Sequence, residues 1–159
     1  MNKYIVSRIE DSPLAHSRKA HLVSTLLADT RIFYIEDDRA NRTIAQTIFE
    51  AHGAQMEFDA WGFAELSSPK LIRFRPNLIL LDLMFPNQIS GYDVFTSIRS
   101  RSQLKHIPIV AVSAADASIE IPKTQAHGFQ GFISKPLDLR LFPVQIATIL
   151  KGEAIWASY

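Results

Sequence analysis

Four consecutive apolar residues, Leu78, Ile79, Leu80 and Leu81, run directly into a carboxylate, Asp82. A strand without polar alternation has to be covered on both faces, and the common way to do that is a parallel sheet between two layers of helices. Ending such a strand on a charge is costly unless the charge has a task, so Asp82 becomes the first candidate functional residue. The rest of the chain agrees with a helix-covered sheet. From Arg31 onward, short runs rich in β-branched and aromatic residues alternate with longer amphipathic stretches, the signature of βα units in an α/β fold. Strands are predicted at 31–35, 55–59, 77–82, 107–112 and 131–133, five in all. The first helix carries Ile44, Ala45, Ile48 and Phe49 at three- and four-residue spacing, and Gly53 stops it. A helix over 91–103 buries Val94, Phe95 and Ile98, and the last helix carries Leu139, Phe142, Ile146 and Ile149. Two prolines disturb the pattern. Pro69 must open or break the second helix, and Pro122 lies inside the fourth, so regular turns are expected there mainly after Ile121.

Residues 1–30 stand outside the repeat as an N-terminal extension. Ser12 before Pro13 resembles an N-cap followed by proline at the first helical position, compatible with one helix over 13–28 and equally with a frayed tail. The main domain is expected over 31–152, followed by a tail, 153–159, that holds Ile155, Trp156 and Tyr159. Lys and Arg number 17 against 16 Asp and Glu, which is not the basic excess of a nucleic-acid binder. The chain has no cysteine, which excludes disulfides, thiolate zinc sites and cysteine nucleophiles and suits a reducing cytoplasm. No apolar run approaches a membrane span, and no cationic stretch with an apolar segment opens the chain. The expectation is a cytoplasmic protein with neither a nucleic-acid nor a membrane partner.

In a parallel α/β sheet, ligands bind beyond the carboxyl ends of the strands. The residues found there are chemically coherent: Glu36, Asp37 and Asp38 after the first strand, Asp82 after the third, Ser113 after the fourth, Lys135 and Pro136 after the fifth. Crowded carboxylates resist ionisation unless a cation neutralises them. Asp37 with Asp82 therefore makes a hard-cation site suited to Mg2+, which takes one or two carboxylates together with waters and phosphate oxygens. An ammonium and a hydroxyl opposite, from Lys135 and Ser113, can neutralise and hydrogen-bond the remaining oxygens of a phosphoryl group. Asp38 reads as a helix N-cap. The five histidines are scattered, and no glycine-rich loop follows the first strand, which excludes P-loop and dinucleotide-binding readings.

Taken in order, Glu36-Asp37 after an apolar strand, Leu-Leu-Asp-Leu-Met-Phe-Pro at 80–86, Val-Ser-Ala at 112–114 and Ser-Lys-Pro at 134–136 resemble the receiver domain of the response-regulator family, in its single-domain form. That resemblance implies a doubly wound, flavodoxin-like sheet of five strands in the order 2-1-3-4-5 and a cis peptide before Pro136. It implies Asp82 as phospho-acceptor, Asp37 and Asp82 as Mg2+ ligands, Glu36 as a ligand through water and Met84 as one through its backbone carbonyl. Ser113 and Lys135 would bind the phosphoryl oxygens, and Ser113 with Phe132 would form the switch. The donor would be a sensor histidine kinase or a histidine phosphotransfer protein. The output would be contact with a downstream protein, a phosphorelay step or homodimerisation, with no catalysis beyond the domain's own phosphoryl transfer and dephosphorylation.

The chain departs from the family pattern in places. Four residues, 87–90, separate Pro86 from Gly91 where the family usually has three, and Ser90 replaces the usual acid before that glycine. Met84 and Ala115 offer no side chain to orient an attacking water, which implies a comparatively long-lived aspartyl phosphate. Two further readings stand beside this one. An enzyme of the haloacid-dehalogenase type would need a second aspartate where this chain has Met84. A degenerate receiver would bind its partner without phosphorylation, a reading that the complete acidic site opposes.

Overall fold

The structure, a computed structural model, describes residues 26–60, 69–86 and 88–158. Most of the helix expected over 13–28 lies outside the described residues. Residues 26–29 form a turn, and its Leu27 is buried in the core. Eleven elements follow in alternation: β1 (Arg31–Ile35), α1 (Arg39–Ala51), β2 (Gln55–Asp59), α2 (Pro69–Phe74), β3 (Leu78–Leu81), α3 (Gly91–Arg99), β4 (Ile109–Ser113), α4 (Ala117–His127), β5 (Gly131–Ser134), α5 (Leu141–Leu150) and β6 (Ile155–Ala157). All the strand pairs are parallel, in the order β2-β1-β3-β4-β5-β6.

The expectation of five strands is thus corrected to six. The aromatic tail supplies the extra strand, with Ile155, Trp156 and Ala157 opposite Gly131, Phe132 and Ile133. Without it, β5 would present an open row of backbone donors and acceptors at the sheet edge.

Alternate residues along each strand serve different layers. Ile32, Tyr34, Leu78, Leu80, Val110, Val112 and Ile133 face Ala45, Ile48 and Phe49 of α1 and Phe142 and Ile146 of α5. Phe33, Ile35, Ile79, Leu81, Ala111 and Phe132 face Leu71 of α2 and Val94, Phe95 and Ile98 of α3, with Ala117 and Ile121 of α4 packed against them. Helices therefore cover both faces, which is why β3 reads as unbroken apolar sequence.

Several sequence-based boundaries shift for local reasons. Ile44 is exposed, because the buried stripe of α1 is Ala45, Ile48 and Phe49. Leu139 is also exposed and precedes α5, whose start lies two residues beyond it. α3 ends at Arg99, and Arg99 Nη1 donates to the carbonyl of Ile107 at 2.7 Å, closing the turn that follows. β4 starts at Ile109, one residue after Pro108, whose carbonyl accepts from the Ile79 amide at 2.9 Å. The largest correction concerns α4, which runs continuously through Pro122. Asp116 caps its first turn by accepting from the Ser118 amide at 2.9 Å, and Gly128, at φ 86°, terminates it. Proline removes the hydrogen bond that would reach Ser118, but both residues are exposed, so water can satisfy that carbonyl.

Candidate functional site

The backbone ladder continues one step past the strands and fixes the rim. The Glu36 amide donates to Asp59 O at 3.0 Å, the Asp82 amide to Ile35 O at 3.0 Å, and the Lys135 amide to Ser113 O at 2.9 Å. The peptide between Lys135 and Pro136 is cis, as the resemblance implied. Glu36, Asp37 and Asp82 each bring a carboxylate oxygen to within 4.8 Å of the others. Lys135 joins them, with Nζ 2.6 Å from Glu36 Oε2 and 2.5 Å from Asp82 Oδ2. Four of the five charged residues expected at the sheet edge are thus brought together, Asp38 being the exception.

Their environment is unequal. Glu36 is fully buried, Asp82 nearly so, and Asp37 is half-buried. Burial raises the Asp82 carboxyl above its ordinary range; Lys135 pulls the other way, and the neighbouring charge of Glu36 adds to the rise. Burial would lower the Lys135 ammonium, but Asp82 and Glu36 outweigh it and hold the lysine above its ordinary value. Three oxygen-donor carboxylates beside one ammonium are a donor set that fits a hard divalent cation such as Mg2+.

The remaining predicted residues occupy distinct positions. Ser113 is fully buried at the end of β4, and its Oγ accepts from the Ala115 amide at 3.3 Å. Met84 has an exposed side chain, and its amide donates to Asp82 Oδ1 at 3.0 Å. Phe132 is fully buried inside the layer beneath α3 and α4. Asp38 caps α1, accepting from the Asn41 amide at 2.8 Å. Ser90 caps α3 by accepting from the Tyr92 amide at 3.2 Å. Gly91 is required by close approach: a Cβ there would lie 2.3 Å from Asp82 O and 2.6 Å from Leu83 Cα.

Two contributors escaped the sequence reading. Tyr34 donates its hydroxyl to Glu36 Oε2 at 2.7 Å, and burial first, then Glu36, raises that hydroxyl well above the ordinary tyrosine value. Arg42 Nη1 donates to the carbonyls of Glu36 and Asp37 at 2.7 Å each, pinning the loop that presents both acids. The signal for Tyr34 was its spacing, since residues two apart on a strand share a face and a buried phenol needs a partner.

The doubly wound sheet, with its acids and lysine gathered at the carboxyl ends of β1, β3 and β5, is the arrangement of a receiver. The chain matches the response regulator receiver domain family over residues 32–146 and belongs to that family. It is 28% identical over 123 residues to the polar-differentiation response regulator DivK of Brucella anthropi, covering 77% of this chain and 97% of DivK. Among solved structures, the receiver domain of the sensor histidine kinase PA1611 from Pseudomonas aeruginosa, which has a magnesium ion coordinated in its active-site cleft, gives a TM-score of 0.66 at 22% identity, covering 79% of this chain and 100% of that one. The chemotaxis response regulator CheY4 of Vibrio cholerae gives a TM-score of 0.64 at 22% identity, covering 74% and 98%. At such identity the structural likeness speaks for the fold alone. Among the described residues, no helix is long and apolar enough to cross a membrane.

Proposed function

We propose that the protein is a cytoplasmic, phosphorylation-dependent response regulator whose Asp82 accepts a phosphoryl group from a phosphohistidine on a sensor kinase or phosphotransfer protein. The observation that supports this most directly is the placement of Lys135 Nζ between Glu36 and Asp82, beside three converging carboxylates. In this reading Asp37 and Asp82 hold Mg2+ directly, Glu36 holds it through water, and the Met84 carbonyl completes the protein's share. Bound Mg2+ neutralises the oxygens of the transferring group.

A carboxylate oxygen of Asp82 forms the new bond to phosphorus as the phosphorus–nitrogen bond of the donor breaks, and the released imidazole takes up a proton. Lys135 then meets the added negative charge, and the Ser113 hydroxyl donates to a phosphoryl oxygen. Ser113 and Phe132 form the switch that passes the change to α4, and the output is contact with a downstream protein. The complete acidic site favours this over a receiver that signals without phosphorylation.

The test is labelling by acetyl phosphate with Mg2+. Wild-type protein should take up acid-stable, hydroxylamine-sensitive label at one site, and Asp82→Asn should take up none. Persistent labelling of the Asn variant refutes the assignment.

A further inference from the structure

Glu36 is 0% exposed, and its carboxylate is held by three donors. The Asp38 amide reaches Oε1 at 3.1 Å, while Oε2 accepts both from Tyr34 at 2.7 Å and from Lys135 at 2.6 Å. Lys135 is at the same time 2.5 Å from Asp82 Oδ2. If the ammonium shifts toward a group added on Asp82, it leaves Glu36 Oε2 behind, and a buried anionic oxygen without a donor is strongly disfavoured. Another donor must hold that oxygen if the lysine is to move. Tyr34 is suited to do so. Its ring is fully buried in the layer under α1 and α5, 6.5 Å between centroids from Phe58, so its hydroxyl is held in place.

We propose that Tyr34 is a positioning residue of the phosphoryl-accepting pocket: its hydroxyl secures Glu36 Oε2, so that Lys135 can pass from its shared place between Glu36 and Asp82 onto the modified Asp82. The inference rests on the reading of Asp82 as phospho-acceptor. It assigns Tyr34 no contact with the phosphoryl group or the metal; its effect runs through Glu36 and Lys135.

Tyr34→Phe keeps the ring and removes only the hydroxyl, leaving Lys135 as the sole donor on Oε2. The variant should lose about tenfold in beryllofluoride affinity at saturating Mg2+ and in the initial rate of labelling by acetyl phosphate. Its Mg2+ affinity by calorimetry, without the mimic, should match wild type. The Lys135 ammonium resonance in a 1H–15N spectrum should shift, and a cooperative thermal transition verifies the fold. In a Glu36→Gln background the same substitution should lose most of its effect, because the two residues act as one unit. Equal labelling and beryllofluoride affinity in Tyr34→Phe and wild type overturn the inference while leaving the Asp82 reading intact. Loss of Mg2+ affinity in parallel with beryllofluoride affinity, or an undiminished effect in the Glu36→Gln background, also overturns it. A wild-type protein that takes no label overturns the Asp82 reading and this inference with it.

Discussion

Replacing Lys135 by Met separates a structural ion pair from a surface one by magnitude. The lysine side chain is 11% exposed, with Glu36 and Asp82 at 1% and 8%. Exposed pairs contribute roughly 0–1 kcal/mol, whereas removing one partner from a buried pair costs about 3–5 kcal/mol because the other charge is left uncompensated. Methionine refills the space of the lysine stem, so packing loss contributes little. Two carboxylates lose their shared counter-charge together, and we expect a loss of ~4 kcal/mol at pH 7.5, or a fall in Tm of about 10 °C.

The pH dependence fixes the cause. The Asp82 carboxyl already lies above its ordinary range, and removing the ammonium raises it further. A raised carboxyl favours the folded state while protonated and loses that advantage as pH rises through its folded value. The gap between wild type and variant should therefore be widest at neutral pH and narrow as pH falls toward the carboxyl range. Lys135 itself is raised, so its contribution to wild-type stability persists below the ordinary lysine pKa and is lost at alkaline pH as its folded value is passed. Urea unfolding at several pH values measures all of this. A cost below about 1 kcal/mol, or a gap that does not change between neutral and acidic pH, would falsify the reasoning.

Two further outcomes test the supports of the site. Gly91→Ala places a Cβ against the backbone at Asp82 and Leu83, and backbone cannot rotate aside, so we expect a loss of about 3 kcal/mol by chemical denaturation together with weakened Mg2+ binding; a near-neutral variant refutes the close approach. Asp116 accepts from both the amide and the hydroxyl of Ser118, which holds its carboxyl below the ordinary range; its cap should therefore be present above the unperturbed aspartate pKa and lost as pH falls through the depressed value. Protection factors of the first-turn amides of α4, taken against the intrinsic exchange rate at each pH, should fall at acid pH and in Asp116→Ala, and identical protection in variant and wild type excludes the cap.

The parts of the fold legible in the sequence were those set by period and punctuation. The unbroken run at Leu78–Leu81 announced a doubly covered strand, and Glu36, Asp82 and Lys135 were found because strand ends in a parallel sheet face one rim. The sixth strand was not legible: Ile155, Trp156 and Ala157 form a short run whose state depends on whether β5 leaves an edge to fill. α4 was misjudged because a proline rule for helix interiors weighs heavily only where the lost bond cannot be replaced by water. Tyr34 lies within the strand predicted over 31–35 without being singled out, since a sequence shows the ring and its period but not which buried acceptor the hydroxyl meets. Side-chain partnerships across 99 residues, such as Lys135 with Glu36, follow from topology and could be anticipated; the choice of which oxygen is shared could not.

The pocket is built with an excess of negative charge, three carboxylates against one ammonium, and on the proposed reading this excess would underlie both the binding of a cation and the switch. A phosphoryl group on Asp82 would add further charge; of the donors able to meet it, Lys135 is already shared between Glu36 and Asp82, while the Ser113 Oγ accepts from the Ala115 amide and keeps its own hydrogen to donate. On the proposed reading, a shift of Ser113 would bear on the Ala115 amide one residue before Asp116, the N-cap of α4. A shift of Lys135 would bear on the same junction, because the Lys135 amide is bonded to the Ser113 carbonyl. Both would converge on the connection between β4 and α4. A modification at Asp82 can shift the population of α4 positions only through the difference in how well these donors serve the phosphoryl group in each arrangement.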